Sequence, residues 1–583
     1  MSRFAGHATS QGPRLLGLIA VLASFTAVNA RWIWLFRRGQ PLDADEAGYL
    51  GFSMIDHAAF VHHGVSGFIS ALGSPGIQAP LTTALTALLF LLTGLHPIAG
   101  FAIPVLAGAG TIAATYFLGC TLGSRGLGLA AALLVASCPT MIVHARSFMF
   151  ALPATCMATL ALLALLRAER FRRPGWTLAF GLACALMLLS RTMTVAFLPG
   201  LTLGAVVVLM GERTSLARRA LALAAAYLLG IAVAATWYAP NGGFVFAYLL
   251  KFGYGSHATQ YGPAHPLFGI AAWRESARYI MSEVYLPHAL VLIAGAAALT
   301  WLAVQRIAAS GARRALATFL VSKQAPLVVF VAEASVALTS SPNKGTGFFA
   351  PIAPAAIALA AWACWRVSAN RRWRAALAAA VALVSLLGGV PALDLRLSFA
   401  RPWRVALPVL GPTTVTDGRS FIQIYETFGA LTDGDTMEPV SAAAGRAWVA
   451  LSADTAAALL RLGAARSTTA FGFLHVLYNL NTVRLAELRS GNQASNLIQV
   501  DPVMTGDTLA GDLAWLTQGA AAEACLLVTF EGTAGLALAS TDHRRMGDAA
   551  RQAGFVVAER WRTPDGQPIT LWRRLSTAAC RDG

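Results

Sequence analysis

Residues 15–36 read LLGLIAVLASFTAVNARWIWLF, and residues 37–49 continue RRGQPLDADEAGY. The first stretch carries one charge, Arg31, and as a helix it is long enough to cross the roughly 30 Å hydrocarbon core of a bilayer. It ends in Trp32-Ile-Trp34-Leu-Phe36 without a small-residue cleavage site, which reads as a retained anchor rather than a removed signal. Comparable runs recur at Phe148–Leu166 and Ala375–Val390. Lipid offers no partner to a backbone N–H or C=O, so such runs must be helical. Over 583 residues the chain is 56% hydrophobic and only 12% charged, with a mean hydropathy of +0.61. A soluble globular protein carries about 25% charged residues. The expected fold is mainly α, a polytopic bundle of membrane-spanning helices.

The formal charge of +17 suggests nucleic acid only if it gathers into a patch, and it does not. Of 44 Lys and Arg, three are lysines, and the arginines lie in short clusters between apolar runs. These clusters are Arg3 and Arg14; Arg125; Arg167, Arg170, Arg172 and Arg173; Arg213, Arg218 and Arg219; Arg306, Arg313 and Arg314; Arg366, Arg371, Arg372 and Arg374. The positive-inside rule places them all in the cytoplasm. That condition sets the threading. If Pro80–Gly94, only about 15 residues, lies along the outer surface, the spans are 15–36, 98–121, 126–143, 148–166, 175–190, 192–211, 220–238, 287–305, 316–339, 348–365 and 375–391. About eleven spans then put every cluster inside. The Arg- and Ala-rich composition suits a GC-rich bacterial genome, hence a bacterial cytoplasmic (inner) membrane.

This threading makes 1–391 a transmembrane domain with two large outer segments, 37–97 with interfacial helices and 239–286, and leaves 392–583 as an extracytoplasmic α/β domain. In the latter, Cys525–Phe530 reads as a buried strand and Asp542–Ala553 as an amphipathic helix. Phe555–Arg562 and Ile569–Trp572 read as a hairpin turning at Pro564-Asp565-Gly566. Five of seven cysteines, Cys120, Cys138, Cys156, Cys184 and Cys364, sit in apolar runs as packing residues. Cys525 and Cys580 are able to pair if their region faces an oxidising compartment. No Cys/His spacing suggests zinc.

Chemistry is concentrated where helix 1 leaves the membrane, at Asp43-Ala-Asp45-Glu46-Ala-Gly48-Tyr49. Asp45 and Glu46 point about 100° apart on a helix, so they do not face one ligand together. One reading is an acidic N-cap for a helix over Glu46–His57. The other is a general base or metal ligand at the membrane surface. His62, His63 and His144 are interfacial polar groups or metal ligands. Glu333 is a carboxylate inside a span, a functional candidate by default. The 239–286 segment, with Tyr248, Tyr254, His257, Tyr261 and His265, either caps a cavity or anchors at the interface.

The acidic pair in this position, followed by a long loop with an interfacial helix, resembles the membrane glycosyltransferases of the C type (GT-C fold), among them the protein O-mannosyltransferases and the aminoarabinose transferases of lipid A. Asp45-Glu46-Ala-Gly-Tyr49 is similar to their Asp-Glu-x-x-Tyr-like motif. Pro139–Pro153, containing Arg146, resembles the second outer loop. Leu189-Ser-Arg191-Thr resembles their basic residue between two spans. Ser341–Pro354, with Lys344, resembles the entry to a late span. The resemblance covers about 1–391 and implies transfer of a sugar from a polyprenyl-phosphate donor to a lipid, glycan or protein acceptor on the outer face. It implies Asp45 as general base, Glu46, Asp43 and Tyr49 in support, and Arg191, Lys344 and Arg146 as partners of the donor phosphate. Many relatives carry an acidic residue where this chain has Ala151. A divalent-metal site bridged by both loops therefore lacks one carboxylate, and no cofactor is assigned. The alternative is a transporter or flippase of a lipid-linked glycan, but no internal repeat of the kind transporters show is present.

Overall fold

Helices dominate the computed structural model, which describes residues 12–574 and Cys580 apart from 75, 213, 256, 267–268, 369, 394–402, 409–410, 418–441, 465–466, 493, 502–504 and 533–543. In chain order they are α1 (Gly12–Phe36), α2 (Ala44–Leu72), α3 (Leu81–Thr93), α4 (Pro97–Gly100), α5 (Ala102–Leu122), α6 (Arg125–Ala136), α7 (Pro139–Ala145) and α8 (Ala151–Arg167). They continue as α9 (Pro174–Ser190), α10 (Leu198–Met210), α11 (Leu216–Gly253), α12 (Ile270–Ser310), α13 (Ala312–Leu320), α14 (Ala325–Ser340), α15 (Ala353–Val367) and α16 (Arg371–Leu393).

Among the described residues six helical stretches are long and apolar enough to cross a membrane: Leu15–Phe36, Pro97–Leu122, Thr192–Met210, Leu216–Gly253, Ile270–Ser310 and Arg371–Leu393. Two bent pairs raise the number to eight, α6 with α7 at 59° and α13 with α14 at 95°. The chain is a multi-pass membrane protein. The expected eleven is not reached on length and composition, because α8, α9 and α15 have only 17, 17 and 15 residues. Two expected spans, 126–143 and 316–339, are broken rather than straight. Each second half carries Pro in its first turn, Pro139 or Pro326, where the missing N–H costs nothing, and before Pro139 the residue Cys138 is pushed into extended backbone. The 239–286 segment is less of a loop than expected. α11 runs on through Pro240 to Gly253, and α12 begins at Ile270.

The described chain separates into two compact units. The first comprises residues up to 32, 72–85 and 101–422. In it α5 packs on α6 and α8, α8 on α9, α9 on α11, α10 on α14, and α12 on α15. Small residues set the tightest crossing: a Cβ on Gly181 of α9 would lie 1.9 Å from the carbonyl oxygen of Ala226 on α11. Helices gain no hydrophobic drive in lipid, so close backbone approach and dispersion hold them together. At one end Glu212 gathers Arg170 at 3.0 Å, Arg172, and Arg219 at 3.7 Å. A hydrogen bond from Thr214, and then Arg170 and Arg172, hold its carboxyl down at about 2. A hairpin of β1 (Trp403–Leu407) and β2 (Gly411–Thr416) completes the unit.

The second unit comprises 33–71, 86–100 and 423–583. Its strands β3 (Thr468–Phe471), β4 (Asn496–Gln499), β5 (Ala524–Phe530), β6 (Phe555–Arg562) and β7 (Pro568–Arg574) form one sheet in the order β4-β3-β5-β7-β6. β3 runs parallel to β4 and β5, whereas β7 is antiparallel to β5 and β6. Alternate residues face opposite sides. Phe471, Val528, Phe530 and Leu571 pack with Trp448 and Tyr478, while Leu527 and Trp572 pack with Met546 and Phe555. The helices are α17 (Ala442–Arg461), α18 (Leu480–Arg489), α19 (Leu509–Thr517) and α20 (Arg545–Gln552). The hairpin expected at 555–572 is present with Gly566 at φ +88°. The helix expected over Asp542–Ala553 is seen as α20, and Asp542 and His543 lie outside the described residues. Cys525 and Cys580 form a disulfide.

Candidate active site

The acidic stretch belongs to the second unit. Asp43 precedes α2 and accepts hydrogen bonds from the backbone N–H of Asp45 at 2.8 Å and of Glu46 at 2.9 Å. It is the N-cap, satisfying donors that the first helical turn leaves over. Burial pushes its carboxyl well above the usual range, and repulsion from Glu46 and then Asp45 adds to the shift. Glu46 is fully buried and paired with Arg37, itself buried. Asp45 is the exposed carboxylate of the three, and Tyr49 is half-buried. The same stretch leans on the C-terminal helices. Asn481 of α18 donates to the carbonyl of Ala44 at 2.8 Å. The capping box of Asn479 with Thr482 fixes the start of α18.

The cations belong to the first unit. Arg191 ends α9 and donates to the carbonyls of Gly347 at 3.1 Å and Thr346 at 3.5 Å, with its guanidinium 4.2 Å over the Phe348 ring. Lys344 donates to the carbonyls of Leu338 at 2.5 Å and Ser341 at 2.7 Å, closing the C-terminus of α14. Burial lowers its ammonium to about 8, against a smaller upward pull from Glu275. The structure thus brings Arg191 and Lys344 to one loop, 341–352. The 239–286 segment packs on the same loop: Asn343 donates to Phe252 O at 2.9 Å and Ser341 to Gly253 O at 2.6 Å, and Tyr254 bonds Ser340 at 2.9 Å.

Arg146 is only 1% exposed. It donates to Asn29 of α1 at 2.8 Å and to Ala392 O of α16 at 2.9 Å, and stacks 4.7 Å over Trp32. That geometry favours a tie between helices over a phosphate contact. Glu333 packs against Gly200 of α10, and His62 and His63 are exposed. Among the described residues no group of three or more His, Cys, Asp or Glu is arranged to hold a metal. A cavity of about 380 Å³ is lined by Arg170, Arg172, Glu212, Lys323 and apolar neighbours, and none of the expected site residues lines it.

One residue was missed. Glu283 of α12 accepts from the Thr140 hydroxyl at 2.7 Å and from the Gly347 N–H at 3.3 Å, and lies 4.0 Å from His144. Ala151, where a second carboxylate was looked for, packs against the same Gly347. The carboxylate in this neighbourhood therefore comes from α12, within the 239–286 segment expected to cap a cavity or anchor at the interface.

Residues 77–239 match the family model described as dolichyl-phosphate-mannose-protein mannosyltransferase. Among solved structures, ArnT from Cupriavidus metallidurans in the apo state is similar with a TM-score of 0.53 at 16% identity, over 96% of this chain and 97% of that one. ArnT bound to undecaprenyl phosphate gives 0.53 at 15% with the same coverage. The chain has the C-type glycosyltransferase fold. No curated protein matches it. The matched range includes Arg146, Ala151 and Arg191, whereas Asp45, Glu283 and Lys344 lie outside it.

The Arg37–Glu46 pair generates a prediction. Removing one member of a buried pair strands the other charge, at about 3–5 kcal/mol. Glu46→Ala is expected to lower the thermal midpoint of the detergent-solubilised protein markedly, whereas Asp45→Asn leaves it near wild type. An unshifted midpoint in Glu46→Ala contradicts the buried pair.

Proposed function

We propose that the chain is a membrane glycosyltransferase that moves a sugar from a polyprenyl-phosphate-linked donor to an acceptor hydroxyl on the outer face of a bacterial cytoplasmic membrane. The family match over 77–239 carries this reading, and the fold shared with ArnT, a protein seen with undecaprenyl phosphate, supports the lipid class. The eleven-span threading belongs to the proposal: the six long stretches, the two bent pairs and the three shorter helices α8, α9 and α15 sum to it. It places 392–583 outside, where the Cys525–Cys580 disulfide is at home.

The chemistry is one displacement. The acceptor oxygen attacks the anomeric carbon, the bond from that carbon to the donor phosphate oxygen breaks, and the acceptor proton passes to a carboxylate. Asp45, exposed at the head of α2, is that base. Asp43 holds the helix start and Glu46 is spent on Arg37, so these two support rather than react. The departing polyprenyl phosphate gains negative charge, and Arg191 and Lys344 offset it with charge-assisted hydrogen bonds. Acceptor and sugar stand open between lipid, glycan and protein.

Two outcomes test the proposal. Asp45→Asn is expected to lower kcat by roughly 10²–10⁴ with little change in thermal midpoint, measured as sugar transfer from a polyprenyl-phosphate sugar in proteoliposomes. Full activity removes Asp45 as base. Lys344 is charged below about pH 8 and neutral above it, so the KM for donor is expected to rise as pH passes through that value. Lys344→Arg should move the rise upward, and an identical profile in that variant contradicts the role.

A further inference from the structure

Arg191 leans on a peptide group that α12 also grips. Its Nη1 donates to the carbonyl of Gly347, while the N–H of that same residue donates to Glu283 Oε1 at 3.3 Å. Gly347 sits at φ +77°, where a side chain is strained. A Cβ there would meet His144 Nε2 at 2.6 Å and Ala151 Cβ at 2.9 Å. One turn before Glu283 on the same face of α12, the Tyr279 hydroxyl donates to Gly345 O at 2.9 Å and accepts from the N–H groups of Phe348 at 3.0 Å and Phe349 at 3.3 Å. α12 then breaks at Tyr285, φ +58°, just before Pro287. The break ends the segment that presents Tyr279 and Glu283. The other oxygen of Glu283 accepts from Thr140 of α7, so the carboxylate ties α12, α7 and the loop together.

We propose that Tyr279 and Glu283 are positioning residues: they clamp residues 345–349 and thereby set the direction of the Arg191 guanidinium toward the donor phosphate. The inference rests on the phosphate role of Arg191 given above. Neither residue touches the reacting atoms. The loop's peptides are held from one side by α12 and from the other by Arg191 and its stack on Phe348. Loss of either grip loosens the loop on which the guanidinium rests, and a cation that must be reordered on binding binds more weakly.

The test uses the full chain in lipid nanodiscs, with undecaprenyl phosphate as the probe. Arg191→Ala, Tyr279→Phe and Glu283→Ala are each expected to weaken binding about tenfold or more, the weight of one charge-assisted hydrogen bond. Glu283→Gln, which retains an oxygen for the Gly347 N–H, should stay within about threefold. The double variant Arg191→Ala/Glu283→Ala should bind no worse than Arg191→Ala alone, since coupled residues are not additive. In parallel, hydrogen exchange of peptides spanning 343–352 should speed up in Tyr279→Phe and Glu283→Ala and recover in Glu283→Gln. Unchanged exchange in Tyr279→Phe overturns the clamp, as does a double variant whose loss equals the product of the single losses. Unchanged binding in Arg191→Ala overturns the phosphate reading instead, with the exchange data still deciding the clamp.

Discussion

Hydrocarbon will not hydrogen-bond a peptide group, and the architecture of this chain follows from that refusal. Every stretch inside the lipid must be helical, so irregular backbone and charge are pressed to helix ends. The features with chemical potential sit there: Asp43–Glu46 where α2 begins, Arg191 where α9 stops, and Lys344 just beyond α14. The same constraint explains why breaks in the helices matter. At Pro139, Pro326 and Tyr285–Pro287 the chain leaves regular helix, and the residues beside the first and last of these, Thr140, His144 and Glu283, meet at one loop.

Side chains at these ends are held by one another before any ligand arrives. Asp43 serves the amides of α2, Glu46 serves Arg37, and Asn481 reaches from the C-terminal region to the carbonyl of Ala44. Lys344 and Arg191 both spend donors on carbonyls. Such preorganisation reduces the ordering cost at the moment of binding. It also gives the C-terminal region a physical task. It steadies the turn that carries Asp45.

Much of this was legible in the chain. Apolar runs near bilayer length announced the helices, and the acidic stretch announced a capped helix, which starts at Ala44 rather than Glu46 with Asp43 as its cap. Strand and turn residues announced the 555–572 hairpin, and two cysteines outside the apolar runs announced the disulfide. The misses have physical reasons. α11 and α12 continue past their apolar stretches because tertiary packing keeps polar and aromatic turns helical, where composition suggested loop. The bend at α6–α7 was hidden because only Ser137 and Cys138 separate its halves, whereas Ser322-Lys323-Gln324 does mark the break between α13 and α14. Arg146 stood among the candidate phosphate partners because its actual partners, Asn29 and Ala392, are 117 and 246 residues away. Glu283 carried no motif at all. Its role comes from a kink and from three contacts remote in sequence.

The proposed function turns on Arg191 and Lys344 holding the phosphate of a polyprenyl-phosphate donor. A density map of the chain in nanodiscs with bound undecaprenyl phosphate tests it most directly. The expected result is phosphate density within hydrogen-bonding reach of Arg191 and Lys344. Phosphate bound away from both cations would contradict it.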